Sequence, residues 1–366
     1  MQILVLTKRQ YMNKDLLEDR FGRFRELPLE LALKNYRVYG LCLSYQSKKE
    51  GRISDGPVKW ESINVGPLKL PGFLRFFKRA SQLAAKADVI WAASDSIYGI
   101  IGYVLAKKSR IPLVFDLYDN FEYFLLARLP VIKQLYRWVI KNGQAITCVS
   151  RPLGRRVSRH RKKDGIFVIE NAARKDLFKP MDKKSCRDGL KLPQNACLVG
   201  TAGALYKSRG IHFLFEAFDR LRAKYPNLHL VLAGPRNVRI PVHDRVHDLG
   251  VLPLKKVPLL LNSLDVSVVS NRENNFGKYC FPQKIMEIMA CDVPLIAARV
   301  GSMAELFIDH PKWLYTPDDA VDLARVLEHR MKNQITGYKG VLSWSEVASD
   351  LERIFLKLCK DSTETH

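Results

Sequence analysis

A chain of 366 residues with 47% apolar composition is long enough for two ordinary α/β domains, each burying its own core. No apolar run approaches the roughly 18 residues needed to cross a bilayer, and the start Ile3-Leu4-Val5-Leu6 is too short for an export signal, so a cytoplasmic location is expected. A net charge of +23 predicts contact with polyanions of some kind, and seven cysteines without a CxxC or Cys/His cluster argue against a disulfide framework or a zinc site.

Short β-branched runs alternate with helical periodicity through the first half, the pattern of a parallel sheet wrapped by helices. Strands are predicted at 3–7, 38–43, 89–92, 113–116, 145–149 and 167–170, with helices at 24–34, 73–86, 97–107, 125–141 and 151–161. The polar stretch that follows Glu170-Asn171-Ala172-Ala173 and runs to Pro193 reads as a connector. Beyond it the pattern restarts, with strands at 198–202, 228–233, 266–270 and 294–297 and helices at 211–224, 255–264 and 283–290. A last helix over 344–360 carries Val347, Leu351, Ile354 and Leu358 as one apolar stripe and is expected to pack back on the first domain. The expected division is therefore 1–172, 173–343 and the crossing-back segment 344–366.

In an open α/β sheet, ligands bind beyond the carboxyl ends of the strands. One such loop, Gly200 to Gly210, offers Gly203 for close backbone approach and Lys207 and Arg209 as cations for a diphosphate. A second runs from Asn271 through Gly277 and Tyr279 to Pro282, which suits the first position of a helix whose free amides also favour anions. Lys284 and Glu287 share one face of that helix, so a carboxylate able to grip two ribose hydroxyls sits beside a phosphate cation.

These loops resemble those of the family 4 glycosyltransferases of the GT-B fold, a group that includes bacterial lipopolysaccharide and capsule enzymes. Gly203-Ala204-Leu205 with Arg209-Gly210 is similar to the family's first donor loop. Pro282-x-Lys284-x-x-Glu287-x-Met289-Ala290-Cys291-Asp292-Val293-Pro294-Leu295-Ile296-Ala297 is similar to its second, followed by Val300-Gly301-Ser302-x-x-Glu305-Leu306. Upstream, Ile169-Glu170-Asn171-Ala172 and Phe178-Lys179-Pro180 resemble its interdomain segment. The chain departs from the family where Ala204 replaces a phosphate-binding arginine, Arg209 a lysine, Tyr279 the first glutamate of a paired motif and Asp292 a glycine.

The resemblance implies two Rossmann-like doubly wound parallel sheets facing each other across a substrate cleft. It also implies a sugar nucleotide of UDP or GDP type as co-substrate, and retention of anomeric configuration. On the acceptor side it points to Gly22 and Arg23 beside the transferred sugar and to Tyr118-Asp119 in place of a histidine-acid pair. Asp95, Asp116 and Asp119 end buried strands, where helix capping and catalysis are equally good readings; Asp95 and Asp119 are carried forward as the catalytic candidates. No Asp-x-Asp is present, and cations with helix-end amides can stabilise a diphosphate leaving group, so neither a metal nor another cofactor is expected.

Two basic clusters accompany these motifs. Arg151, Arg155, Arg156, Arg159, Arg161, Lys162 and Lys163 form one, read as a solvated face. Arg75, Lys78, Arg79 and Lys86 flank Phe73, Phe76, Phe77 and Ala80, a helical face that either joins a core or dips into an anionic bilayer. Family members that build surface glycans act on lipid-linked acceptors, so a peripheral position on the inner face of the cytoplasmic membrane is expected, with such an acceptor as partner. Two other classes fit less well: a non-catalytic polyanion-binding protein of this fold, and a nucleotide-sugar epimerase. The basic runs lack the interleaved aromatics of a base-stacking surface, so no nucleic-acid partner is expected.

Overall fold

The computed structural model describes every residue except 12, 13, 125, 162, 163, 365 and 366, together with all side chains but those of 126 and 363 besides. The expected helix start at Leu125 and the cluster members Lys162 and Lys163 thus lie outside the described residues. The chain forms two compact units: Met1–Glu170 with the C-terminal segment from Trp344, and Asn171–Ser343.

The first unit contains β1 (Gln2–Lys8), the short antiparallel pair β2 (Gln10–Tyr11) and β3 (Lys14–Asp15), α1 (Arg23–Leu33), β4 (Arg37–Ser44), β5 (Gly51–Asp55), β6 (Val58–Asn64), α2 (Leu70–Ala84), β7 (Val89–Ala93), α3 (Ser96–Ser109), β8 (Leu113–Leu117), α4 (Pro130–Asn142), β9 (Ala145–Cys148), α5 (Arg151–Ser158) and β10 (Ile166–Val168). Its main sheet runs β10-β9-β8-β7-β1-β4-β6-β5. All pairings in it are parallel except the β5–β6 edge hairpin. Ile3, Leu4, Val5 and Leu6 are almost wholly buried, as are all residues of β7 and β8, because helices cover both faces. Right-handed crossovers place α1 on one face and α2, α3, α4 and α5 on the other.

The hairpin and its turn at Gly56-Pro57 were not among the predicted elements, since β6 alternates Lys59 and Glu61 with buried residues instead of presenting an apolar run. Trp60 on that strand lies over Gly40, where any Cβ would fall 2.2 Å from the indole. On α2 the expected phenylalanine face turns only partly inward, with Phe73 and Phe77 half-buried. Phe76 and Ala80 are fully buried, Phe76 meets Tyr98 edge-on at 5.9 Å, and Gly72 sits against the carbonyls of Asn64 and Val65. Arg75 and Arg79 are held by Glu50 and Glu61. The helix expected from 125 begins only at Pro130, after two 3-10 turns at Phe121–Tyr123 and Leu126–Arg128.

The second unit contains α6 (Lys183–Gly189), β11 (Cys197–Ala202), α7 (Ile211–Arg222), β12 (Leu228–Ala233), β13 (Val246–Asp248), α8 (Val257–Ser263), β14 (Val266–Val269), α9 (Gln283–Ala290), β15 (Leu295–Ala298), α10 (Ser302–Leu306), β16 (Leu314–Tyr315) and α11 (Ala320–Lys332). Its six strands are ordered β13-β12-β11-β14-β15-β16, all parallel. The polar stretch read as a connector belongs to this unit. Asp182 caps α6 through the Ser185 N–H, and buried Arg187 reaches Asp265 at 2.8 Å and the Ser263 carbonyl at 3.0 Å. A charged helix is anchored here by one internal arginine, which composition does not reveal.

The last helix, α12 (Trp344–Thr363), returns to the first unit and packs on α1, as its apolar stripe predicts. Glu352 accepts hydrogen bonds from Lys34 and from the Tyr36 hydroxyl, both at 2.6 Å. Among the described residues no helix is long and apolar enough to cross a membrane.

Candidate functional site

In the second unit, four loops at the carboxyl ends of β11, β12, β14 and β15 approach one another closely at glycines. Gly203 has φ +119°, and its carbonyl lies so near Gly234 that a Cβ on the latter would be 1.8 Å away. A Cβ on Gly277 would fall 2.0 Å from the Arg272 carbonyl, and one on Gly301 2.5 Å from the Gly277 carbonyl. Side chains at these positions would push the loops apart.

Within this frame Asn274 Oδ1 accepts the N–H groups of Phe276 and Gly277 at 3.0 and 2.9 Å, which turns the loop toward α9. Pro282 is the residue that caps α9, one position before the place expected for it, and carries extended backbone (φ −67°, ψ 112°). Lys284, in the first turn, directs its Nζ to Thr201 Oγ1 at 3.4 Å; a Cβ on Gly203 would stand 3.5 Å from the same ammonium. Arg209 stacks on the Phe276 ring at 3.4 Å, a cation–π contact that holds the guanidinium flat. Lys207 is exposed on the 3-10 turn Lys207–Arg209, its backbone N–H bound to Asn237 Oδ1 at 3.0 Å. Tyr279 is half-buried in the same loop, and its N–H reaches the Phe276 carbonyl.

Glu287, only 7% exposed, accepts a hydrogen bond from Gln283 Nε2 at 2.8 Å. Burial pushes its carboxyl up to about 7, against the opposing pull of Gln283 and Lys284. Burial also lowers Lys284 to about 8, reinforced by the charge of Arg209 and only partly countered by Glu287. Two cations that repel each other across a glycine floor, with a desolvated carboxylate one turn further on, form an arrangement that an anion bearing hydroxyls would relieve. Gly203, Arg209, Gly277, Lys284 and Glu287 are thus brought into one neighbourhood, while Lys207 lies at its exposed rim. Thr201 and Phe276 complete it and were not singled out from sequence, because neither residue type is diagnostic of anion binding.

The carboxyl edge of the first sheet gathers a different set. Gly22, with φ +86°, caps α1 against the Tyr11 ring. Arg23, expected beside a sugar, is instead fully buried. Its guanidinium makes a bidentate pair with Asp116 at 2.7 and 2.8 Å and reaches the Glu170 carbonyl at 3.1 Å. Asp116 also accepts the Thr147 hydroxyl at 2.6 Å, so both groups are structural. Asp95 caps α3, its Oδ1 accepting the Ser96 N–H at 2.7 Å. Asp119 is buried and accepts the Asn120 N–H at 2.7 Å. Tyr118 packs among Tyr11, Phe24 and Phe121, ring centroids 4.9, 5.2 and 5.3 Å away.

Lys8, absent from the expected set, ends β1 at this edge. Its Nζ approaches the Tyr118 hydroxyl at 3.5 Å and the Phe124 ring at 5.4 Å. Burial lowers its pKa against the raising influence of Asp95 and Asp119. The signal available in sequence was a lysine closing a central strand whose middle, Ile3 to Leu6, is apolar.

A family model described as glycosyltransferase family 4 matches residues 24–176, and one described as glycosyl transferases group 1 matches 196–333. The chain is 26% identical over 220 residues to a subunit of the phosphatidylinositol N-acetylglucosaminyltransferase of Arabidopsis thaliana, covering 55% of this chain and 46% of that protein. It is 29% identical over 342 residues to the putative teichuronic acid biosynthesis glycosyltransferase TuaC of Bacillus subtilis, covering 90% and 82%. The chain thus spans about half the length of the first of these relatives. Among solved structures, the Anabaena protein HepE in complex with UDP superposes with a TM-score of 0.69 over 100% of this chain and 99% of that one, at 20% identity.

Proposed function

We propose, from the premise that this chain belongs to the family 4 glycosyltransferases of the GT-B fold, that it transfers a sugar from a nucleotide-diphosphate sugar to a lipid-linked cell-surface glycan acceptor, with retention and without a metal. The observation that carries this reading is the neighbourhood of Lys284, Arg209 and Glu287 around Gly203. As the anomeric C–O bond breaks, positive charge grows on the sugar and negative charge on the departing diphosphate. Lys284 and Arg209, already desolvated or stacked, stabilise that negative charge without reorganising, which is the work a divalent cation does elsewhere. Glu287 accepts the vicinal ribose hydroxyls and so sets where the diphosphate lies.

HepE binds UDP and supports a uridine nucleotide as the first donor to try. TuaC and the Arabidopsis relative are named for teichuronic acid and phosphatidylinositol, a polymer and a lipid, which supports an acceptor held at a membrane surface. A thermal-shift screen of UDP- and GDP-sugars with and without EDTA tests the reading. A chelator-insensitive rise in melting temperature, abolished in Glu287→Ala, is expected. No shift with any sugar nucleotide, or the same shift in the variant, would overturn it.

A further inference from the structure

The charges of the first unit are segregated by face. The fifty residues of α2, α3, α4 and α5 contain eleven Lys and Arg and not one Asp or Glu, whereas the chain's 37 acids in 366 residues would place about five there. On the opposite face, α1 and α12 carry Glu26, Glu30, Glu346, Asp350, Glu352 and Asp361 among their cations. The four acid-free helices are neighbours. α2 packs on α3, α3 on α4, and Arg161, just beyond α5, donates to the Ile140 carbonyl of α4 at 2.9 Å.

This layer also exposes apolar side chains that a soluble surface would not gather. Leu70 and Leu74 on α2, Val104 on α3, and Val131, Leu135 and Trp138 on α4 are all between 42% and 66% exposed, and Leu68, in the loop before α2, is 81% exposed. Trp138 crosses from α4 onto Tyr103 of α3 with centroids 4.6 Å apart, and Lys107 stands over the same tyrosine ring. The arginines of the layer are partly compensated from its borders: Glu50 binds Arg75, Glu61 binds Arg79, and Glu122 binds Arg137 and Arg156. The lysines Lys69, Lys78, Lys107, Lys133 and Lys141 stand exposed beside the leucines and Trp138.

We propose that the outer surface of α2, α3 and α4 docks on an anionic lipid bilayer, with Leu70, Leu74, Val131, Leu135 and Trp138 entering the headgroup boundary and the five lysines lying over lipid phosphates. The occupant follows from the combination. Cations alone suit any polyanion, but exposed leucines, valines and a tryptophan among snorkelling lysines gain nothing from a nucleic-acid backbone and are buried by a lipid interface. A complete lack of carboxylates on these helices also removes the repulsion that an anionic surface would otherwise exert on a broad contact. The proposal rests on the reading of a membrane-held acceptor and replaces the phenylalanine face of α2, whose Phe76 and Ala80 are buried, with the leucine and lysine surface of three helices.

The test is flotation of the full chain with phosphatidylcholine vesicles with and without phosphatidylglycerol, in low and high salt. The wild type is expected to float with the mixed vesicles, less so at high salt, and to release them little when single-stranded oligonucleotide is added. Replacing Lys78, Lys107, Lys133 and Lys141 by Gln is expected to weaken partitioning at least about a hundredfold, since each cation near the surface contributes several-fold. A second variant, Leu74→Gln with Leu135→Gln and Trp138→Gln, is expected to lose the binding that persists in high salt. Lys357→Gln with Lys360→Gln on α12 is expected to change nothing. Each variant is checked for an unaltered melting temperature and sugar-nucleotide shift, which separates loss of docking from loss of the donor site. Failure of the wild type to float, equal binding in the lysine variant, or displacement by oligonucleotide would each overturn the docking surface and leave the donor reading standing.

Discussion

The opposed shifts of Lys284 and Glu287 predict how donor affinity depends on pH. With Lys284 titrating at about 8 and Glu287 at about 7 before ligand arrives, the form with a charged ammonium and a charged carboxylate peaks near pH 7.5, at about six-tenths of the protein. A diphosphate needs the ammonium, and ribose hydroxyls need the carboxylate. Treating the two groups as independent, affinity for a sugar nucleotide falls about sixfold from pH 7.5 to either pH 6 or pH 9. The sign on each side is fixed. Above about 8 the lysine has lost its proton and binding must supply it; below about 7 the carboxyl has gained one and binding must remove it. Calorimetry in buffers of different ionisation enthalpy reads this as proton uptake on the alkaline side and release on the acid side. Lys284→Arg keeps the charge at all accessible pH, so the uptake limb should vanish while the acid limb stays. Glu287→Gln should do the reverse. An affinity that is flat from pH 6 to 9, or an uptake limb that survives in Lys284→Arg, would refute the assignment of these two side chains to the ligand.

Two further outcomes follow from the first unit. Arg23→Met strands the buried Asp116 carboxylate and is expected to cost about 3–5 kcal/mol, a drop in melting temperature of about 6–20 °C. Adding Asp116→Asn should recover part of it, and a fall of less than about 3 °C would show that the pair does not hold β8. Lys8→Met is expected to slow sugar transfer at least about tenfold while leaving the thermal shift by sugar nucleotide intact, because Lys8 lies with Asp95, Asp119 and Tyr118 in the first unit and not with Lys284 and Glu287 in the second. An equal loss of donor binding would contradict that placement.

The periodic elements were legible because central parallel strands are buried on both faces and read as short apolar runs. The predicted strand at 3–7 and helix at 283–290 match β1 and α9 to within a residue or coincide with it. Elements whose stability comes from partners elsewhere were not. The strand β6 is half polar and owes its place to Trp60 lying on Gly40, and α6 is a charged segment fastened through Arg187 to Asp265. The loops around Gly203 and Gly277 could be placed beside the start of α9 because close backbone approach leaves little but glycine at those positions, while Lys284 and Glu287 share one helix face.

The carboxyl edge of the first sheet was harder for a related reason. A buried arginine and a buried aspartate look the same in sequence whether they face a ligand or each other, and only the fold joins Arg23 to Asp116 across 93 residues. The same ambiguity hid Lys8, whose significance depends on Asp95 and Asp119 arriving from two other strands. Charge segregation had the opposite character: it was present in the sequence as long intervals without an acid, but those intervals are interrupted by strands and loops, and their union into one surface depends on right-handed crossovers bringing α2, α3 and α4 side by side. Within the first unit the cations therefore gather in two places, a few at the carboxyl edge where small anions can bind and many on a helical face suited to an extended one.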